Sequence, residues 1–269
     1  MSRLLDPKIL LAIKDLRLAA RTAVSGLMAG INPSTIRGEG LEFSQYRSYQ
    51  PGDDLRQLDW KVYARTDRYY IRDSEIETGI ATRFVVDASA SMNHEDNGYS
   101  KMEYARYLAA SLGWLANLQG DAVGLYLLEA GRVVAMEPKR DYSHMARFWY
   151  SLEQVKAAGR ISSPEVYKRF LAAASGRELV VFITDLYEED EELMRILDNL
   201  SLMKHEILVF HIMGNNELEF DFSGVATLQD WETGRKININ PKVDGSGYRE
   251  RVTEYLSGVR VRMLNRHFR

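Results

Sequence analysis

Apolar residues follow two different rhythms along this chain. After Asp6-Pro7, a pair suited to an N-cap and a first helical position, Ile9, Leu10, Ile13, Leu16, Ala20, Val24 and Leu27 recur at helical spacing. They predict an amino-terminal helix ending near Gly26–Gly30, with Asn32-Pro33 as a turn. Residues 35–78 read as irregular and β-rich. Leu41, Phe43 and Tyr46 suggest one strand, Pro51-Gly52-Asp53-Asp54 a turn, and Tyr69, Tyr70 and Ile71 a second strand. From residue 81 short continuous apolar runs alternate with amphipathic stretches. Strands are predicted at Arg83–Asp87, Ala122–Glu129 with a hairpin partner at Arg132–Met136, Glu178–Thr184, Ile207–Met213 and Ala226–Asp230. Helices are predicted at Lys101–Gln119, Tyr142–Val155, Pro164–Ala174, Glu189–Met203 and Tyr248–Phe268.

Buried Val/Ile/Leu strands alternating with helices predict an α/β protein, with a mostly parallel sheet flanked by helices on both faces. Four segments follow: a helix over 1–34, a small β-rich lobe over 35–78, the α/β domain over 79–230, and a hairpin and helix over 231–269 that complete the fold. In such sheets ligands sit at the carboxyl ends of strands, where the strand order reverses. Asp87 and Asp185 are both expected at such ends.

Composition narrows the chemistry. The 269 residues include no cysteine, which excludes a disulfide scaffold, a thiolate metal centre and a cysteine nucleophile. No apolar run approaches the ~20 residues of a membrane helix, and charges interrupt the amino-terminal stretch, so a cytoplasmic protein without membrane insertion is expected. The formal net charge is −3, and no long basic block is present.

The sharpest local motif is Asp87-Ala88-Ser89-Ala90-Ser91 directly after a buried strand. Extended Asp-x-Ser-x-Ser puts three oxygen groups on one side, because side chains alternate. Thr184-Asp185 follows a second strand. Mixed hydroxyl and carboxylate donors suit a hard cation such as Mg²⁺, with water completing an octahedron. Two of the donors are neutral, so an open position would attract an external carboxylate. This constellation resembles the metal-ion-dependent adhesion site of von Willebrand factor A domains, with Asp87, Ser89, Ser91 and Asp185 in matching places. That family also uses a threonine in a loop between these elements. Here the loop reads Gly159-Arg160-Ile161-Ser162-Ser163-Pro164, so Ser163, or else Ser162, takes the hydroxyl's place; Ser163-Pro164-Glu165 reads equally as a plain N-cap. The resemblance implies a metal site of Asp87, Ser89, Ser91, Ser163 and Asp185. The acidic run Glu188–Glu192 reads chiefly as charge complementing a helix N-terminus.

A second resemblance covers residues of about 35–230. Gly38-Glu39-Gly40-Leu41-Glu42-Phe43 is followed by Arg47-Ser48-Tyr49, by Gly52-Asp53-Asp54-Leu55-Arg56-Gln57-Leu58-Asp59-Trp60, and by Ala64-Arg65. This is similar to the signature of the DUF58 family, whose members combine such a charged segment with a von Willebrand A-like domain. The resemblance implies work beside MoxR-type AAA+ ATPases in protein maturation or complex assembly. The expected partner is therefore such an ATPase, or its client, offering an acidic side chain. Arg47, Arg56 and Arg65 interleave with Asp53, Asp54 and Asp59, which suggests an ion-pair network locking the β-rich lobe onto the α/β domain, with Trp60 anchored in apolar surface; the alternative is a contact surface for the ATPase.

Catalytic motifs are lacking. There is no Gly-Lys for a P-loop, no Gly-x-Ser-x-Gly, and no zinc spacing among the five histidines. A non-catalytic interaction module is expected. The alternatives are a Mg²⁺-dependent phosphate-ester hydrolase built on Asp87, which lacks a second acid because Ser89 stands there, and a single-strand nucleic-acid binder using the arginines and tyrosines of residues 46–72. Interleaved acids and negative overall charge oppose the last reading.

Overall fold

The computed structural model describes residues 13, 15–31, 46–49, 58–72, 80–161, 177–187, 192–203, 205–220, 227–239 and 247–269. The elements in chain order are α1 (Leu16–Ile31), β1 (Tyr46–Ser48), α2 (Trp60–Thr66), β2 (Tyr70–Arg72), β3 (Ala81–Asp87), β4 (Glu95–Asp96), β5 (Tyr99–Ser100), α3 (Lys101–Leu118), β6 (Ala122–Glu129), β7 (Arg132–Lys139), α4 (Tyr142–Gln154), β8 (Glu178–Thr184), α5 (Glu192–Leu202), β9 (Glu206–His211), α6 (Asn215–Glu219), β10 (Thr227–Gln229), β11 (Lys236–Asn238) and α7 (Tyr248–Asn265). The chain divides into two compact units, residues 32–78 and residues 1–31 with 79–269.

In the smaller unit β1 and β2 pair antiparallel, Tyr46 opposite Arg72. Between them lies a helix that the β-rich reading did not foresee. Asp59 caps α2 by accepting from the Lys61 and Val62 N–H groups, and Asp67 ends it in the left-handed region at φ 56°. Tyr63 and Tyr69 stack at 4.5 Å between ring centres. Trp60, the first residue of α2, is 61% exposed. Asp59 serves as a cap, while Asp53, Asp54 and Arg56, like the Arg47 side chain, lie outside the described residues.

The larger unit is built on a five-stranded sheet in the order β7-β6-β3-β8-β9. β3, β6, β8 and β9 run parallel, and β7 closes one edge as the antiparallel half of a hairpin. The α/β class and the mostly parallel sheet are as the sequence pattern predicts. The continuous apolar runs arise because both faces are covered. Phe84 and Val86 of β3 face a core shared with α1, α3 and α4, which contribute Leu16, Ala105 and Phe148 among others. Val85 faces the opposite core, against α5 and α7 with Ile196 and Met263. The first sheet strand in the sequence thus lies centrally, and the helix after it and the helix after its neighbour β8 cover opposite faces. The crevice between β3 and β8 is the place where such a sheet opens for a ligand.

α3 begins at a capping box. Glu103 N–H donates to Ser100 Oγ at 3.1 Å, and Ser100 N–H donates to Glu103 Oε2 at 2.7 Å. Ser100→Ala is expected to destabilise the protein by about 1 kcal/mol, measured by urea denaturation. Gly113, inside α3, permits close packing: a Cβ there would lie 2.7 Å from the Phe148 ring. Among the described residues no helix is long and apolar enough to cross a membrane. The helix expected over 164–174 and most of the acidic run 188–192 lie outside the described residues.

Candidate functional site

β3 and β8 end side by side; Asp87 is the last residue of β3 and Asp185 directly follows β8. Asp87 is fully buried. Its Oδ1 accepts from the Ser89 N–H at 2.8 Å, and its Oδ2 accepts from Thr184 Oγ1 at 2.7 Å. Thr184 Oγ1 also accepts from the Leu186 N–H at 2.9 Å. The next link is lateral: Ser89 Oγ and Ser91 Oγ lie 2.9 Å apart, and Ser91 Oγ donates to Asp185 Oδ1 at 3.2 Å. Leu186 turns the chain sharply at φ 52°, a costly conformation for a branched side chain. The turn lets the Tyr187 N–H reach back to Asp185 Oδ1 at 3.2 Å.

The loop after β3 is anchored to residues 158–159. Ala158 N–H donates to Ala88 O at 3.0 Å and Ala90 N–H to Gly159 O at 2.8 Å. Burial, and after it the nearby Asp185 carboxylate, push the Asp87 carboxyl up to about 7, outweighing the hydrogen bonds that favour its charged form. The site is therefore a buried pair of acids linked through two serine hydroxyls.

The family model described as "Protein of unknown function DUF58" matches residues 45–255, which is most of the chain. The chain belongs to the DUF58 family. Uncharacterised proteins of Mycobacterium tuberculosis and Mycobacterium bovis are 29% identical to it over 241 residues, 88% of this chain and 75% of theirs. Among solved structures, the DUF58 chain is similar to BatB, a conserved hypothetical protein of Bacteroides thetaiotaomicron, at 18% identity over 64% of this chain and 85% of that one, TM-score 0.44. An aerotolerance-related membrane protein of Bacteroides fragilis matches at 16% identity over 64% and 86%, TM-score 0.43. The VWA domain of SpRpn10 matches at 13% identity over 48% and 73%, TM-score 0.36.

Of the five site residues named from sequence, the DUF58 fold brings Asp87, Ser89, Ser91 and Asp185 together, all of them buried. Ser163 lies outside the described residues. Two further side chains at this edge were not singled out. Lys101, at the first position of α3, donates from Nζ to Asp185 Oδ2 at 2.9 Å and to Glu217 Oε1 of α6 at 2.8 Å. Its ammonium is held above its ordinary pKa: burial opposes the charge, but Asp185 and Glu217 prevail. A lysine at a helix N-terminus faces the unfavourable end of the macrodipole, and that misplacement was a legible sign of acid partners.

Glu232 stands in the turn between β10 and β11, with its side chain only 9% exposed and 4.0 Å from Arg160. Burial, and then Asp87 and Asp185, raise its carboxyl to about 7. Nothing local in Asp230-Trp231-Glu232-Thr233-Gly234 marks this role, because only the tertiary fold brings the hairpin to the strand ends. Among the described residues no three Asp, Glu or His side chains are placed to hold a metal together. Any ion here would depend on the hydroxyls as much as on the acids.

Proposed function

We propose that this DUF58 protein is a cytoplasmic, non-catalytic interaction module of von Willebrand A type that presents Mg²⁺, or a similar hard divalent cation, to an acidic side chain of a partner protein. The carrying observation is the lateral file of oxygens from Ser89 to Ser91 to Asp185, spaced 2.9 and 3.2 Å apart over buried Asp87. Neighbouring oxygens around an octahedral Mg²⁺, each at about 2.1 Å from the ion, are about 3.0 Å apart, so this donor set fits such an ion. Asp87, Ser89, Ser91 and Asp185 would hold it, with Ser163 as the further hydroxyl. The ion would supply an electrophilic position for a carboxylate.

Charge balance supports the same reading. Lys101 is shared by Asp185 and Glu217, and Arg160 stands 4.0 Å from Glu232. These two cations face four carboxyl groups, Asp87 among them, so a divalent ion would offset negative charge that the chain leaves uncompensated. Ser89 stands where the second acid of a phosphate-ester hydrolase would be, and Lys101 is engaged by two carboxylates. From the DUF58 signature we propose a MoxR-type AAA+ ATPase or its client as the partner. Affinity capture with the full chain from its native cell, in Mg²⁺ and in EDTA, tests this. The expected result is an ATPase or client retained only with Mg²⁺ and lost with Ser91→Ala. Retention independent of metal would refute the adhesion mechanism.

A further inference from the structure

Every oxygen of the two strand-end acids has a donor within the chain. Asp87 Oδ1 accepts from the Ser89 N–H, and Oδ2 from the Thr184 hydroxyl. Asp185 Oδ1 accepts from the Ser91 hydroxyl and the Tyr187 N–H, and Oδ2 from the Lys101 ammonium at 2.9 Å. The other donors belong to the strand ends and the loops that follow them. Lys101 alone among these donors carries a charge, and it comes from a different element, α3. A divalent ion drawing on Asp185 Oδ2 would compete with that ammonium, whereas the remaining donors are neutral.

Lys101 is held in this place from three directions. Its backbone N–H donates to His94 O at 3.0 Å, and Ser100 before it caps α3. Its Nζ also donates to Glu217 Oε1 at 2.8 Å. Glu217 is fixed in turn, because its Oε2 accepts from the Gly214 N–H at 2.7 Å and its carbonyl from the Tyr248 hydroxyl at 2.7 Å. The Lys101 side chain is 7% exposed and that of Asp185 1%, so water screens the pair little. Two consequences follow for an ion. Ca²⁺ takes about six to eight oxygens and uses carboxylates through one oxygen or both, whereas Mg²⁺ demands a near-ideal octahedron. With Oδ2 engaged, Asp185 offers Oδ1 alone, which denies Ca²⁺ a chelating carboxylate and leaves Mg²⁺ its single corner. The ammonium also repels any divalent ion and holds affinity below what the acids alone would give.

We propose that Lys101 is a positioning residue that keeps Asp185 to one ligating oxygen, and so makes the site selective for a small octahedral cation over Ca²⁺ and moderate in its affinity. This role rests on the cation reading above. Isothermal titration calorimetry of the full chain with Mg²⁺ and with Ca²⁺ tests it. Lys101→Met removes the competing charge and frees Oδ2, so Ca²⁺ is expected to bind about tenfold or more tightly, Mg²⁺ to gain less, and the preference for Mg²⁺ to shrink. Lys101→Gln, which keeps a neutral donor, should show the same trend and stands in if a thermal melt finds Lys101→Met unfolded. Lys101→Arg keeps both the charge and the donor and should keep the native preference. A merely structural lysine would act differently, because a loosened site would bind both ions more weakly and leave their ratio alone. An unchanged ratio in the folded neutral variants, weaker binding of both ions by them, or loss of the preference in Lys101→Arg would overturn this role and leave the cation reading standing. A native protein that binds neither ion, or binds them as well after Asp87→Asn, would overturn both.

Discussion

Replacing Arg83 by methionine is expected to lower the stability of this protein by about 3–5 kcal/mol, one of the largest effects a single side chain can have here. Arg83 is 2% exposed, in a strand where Phe84, Val85 and Val86 follow it. Its Nε and Nη2 donate to the two oxygens of Glu178 at 2.5 and 2.8 Å, a bidentate fork between neighbouring parallel strands. Its guanidinium lies 4.4 Å from the ring centre of Tyr126, whose hydroxyl donates to Glu137 at 2.9 Å. Removing the guanidinium leaves the Glu178 carboxylate buried without a counter-charge, and that isolated charge accounts for the cost. The double variant Arg83→Met/Glu178→Met should recover most of the loss, because two apolar side chains of similar volume suit a site on the core side of the sheet. Arg83 Nη1 has no hydrogen-bond partner among the described residues, so the native pair is itself incompletely satisfied. Urea denaturation of the two single variants and the double variant checks this. Additive losses would refute the argument.

The same pair shows what local pattern can and cannot convey. Phe84-Val85-Val86 and Val180–Ile183 are legible as strands because a strand covered on both faces must be apolar at successive positions. Arg83 and Glu178 each look like the polar start of such a strand, and only the parallel register, Ala81 opposite Glu178, sets them side by side. The candidate site divides along the same line. Asp87, Ser89 and Ser91 lie within five residues, but the expected extended alternation stops at Ser89: a 3₁₀ turn over Ala90–Asn93 brings Ser91 Oγ to Ser89 Oγ, and Asp185 follows from the doubly wound order. Lys101 and Glu232 reach the site from elements whose approach depends on the whole fold. The helix at Trp60–Thr66 was not predicted within a segment read as irregular and β-rich, although Asp59 in front of it is an ordinary N-cap residue.

Asp87→Asn is expected to have opposite effects on stability and on binding, and pH separates them. The carboxyl is raised from 3.8 to about 7 in the folded protein by burial and by Asp185. Between these values the folded state keeps a proton that the unfolded state has released. Its contribution to stability is therefore greatest below pH 3.8, declines by about 1.4 kcal/mol per unit as pH rises, and is lowest above about 7. Asparagine keeps an acceptor for the Ser89 N–H without the charge. In EDTA at pH 8 the variant should thus be more stable than the native protein, on the order of 2 kcal/mol or more, while near pH 4 the two should melt together. Mg²⁺ should reverse the order. A bound cation compensates Asp87, so the native melting temperature should rise with Mg²⁺ concentration at pH 8 and the variant's should not. Thermal melts at the two pH values, with EDTA and with Mg²⁺, contain the whole test. A variant less stable than the native protein in EDTA at pH 8 would show that the buried charge is compensated within the chain. An equal response of both proteins to Mg²⁺ would place the ion elsewhere. The expected crossing of the two curves is the signature of a residue kept ionisable at a cost to the resting fold, which fits a site whose compensating charge arrives from outside.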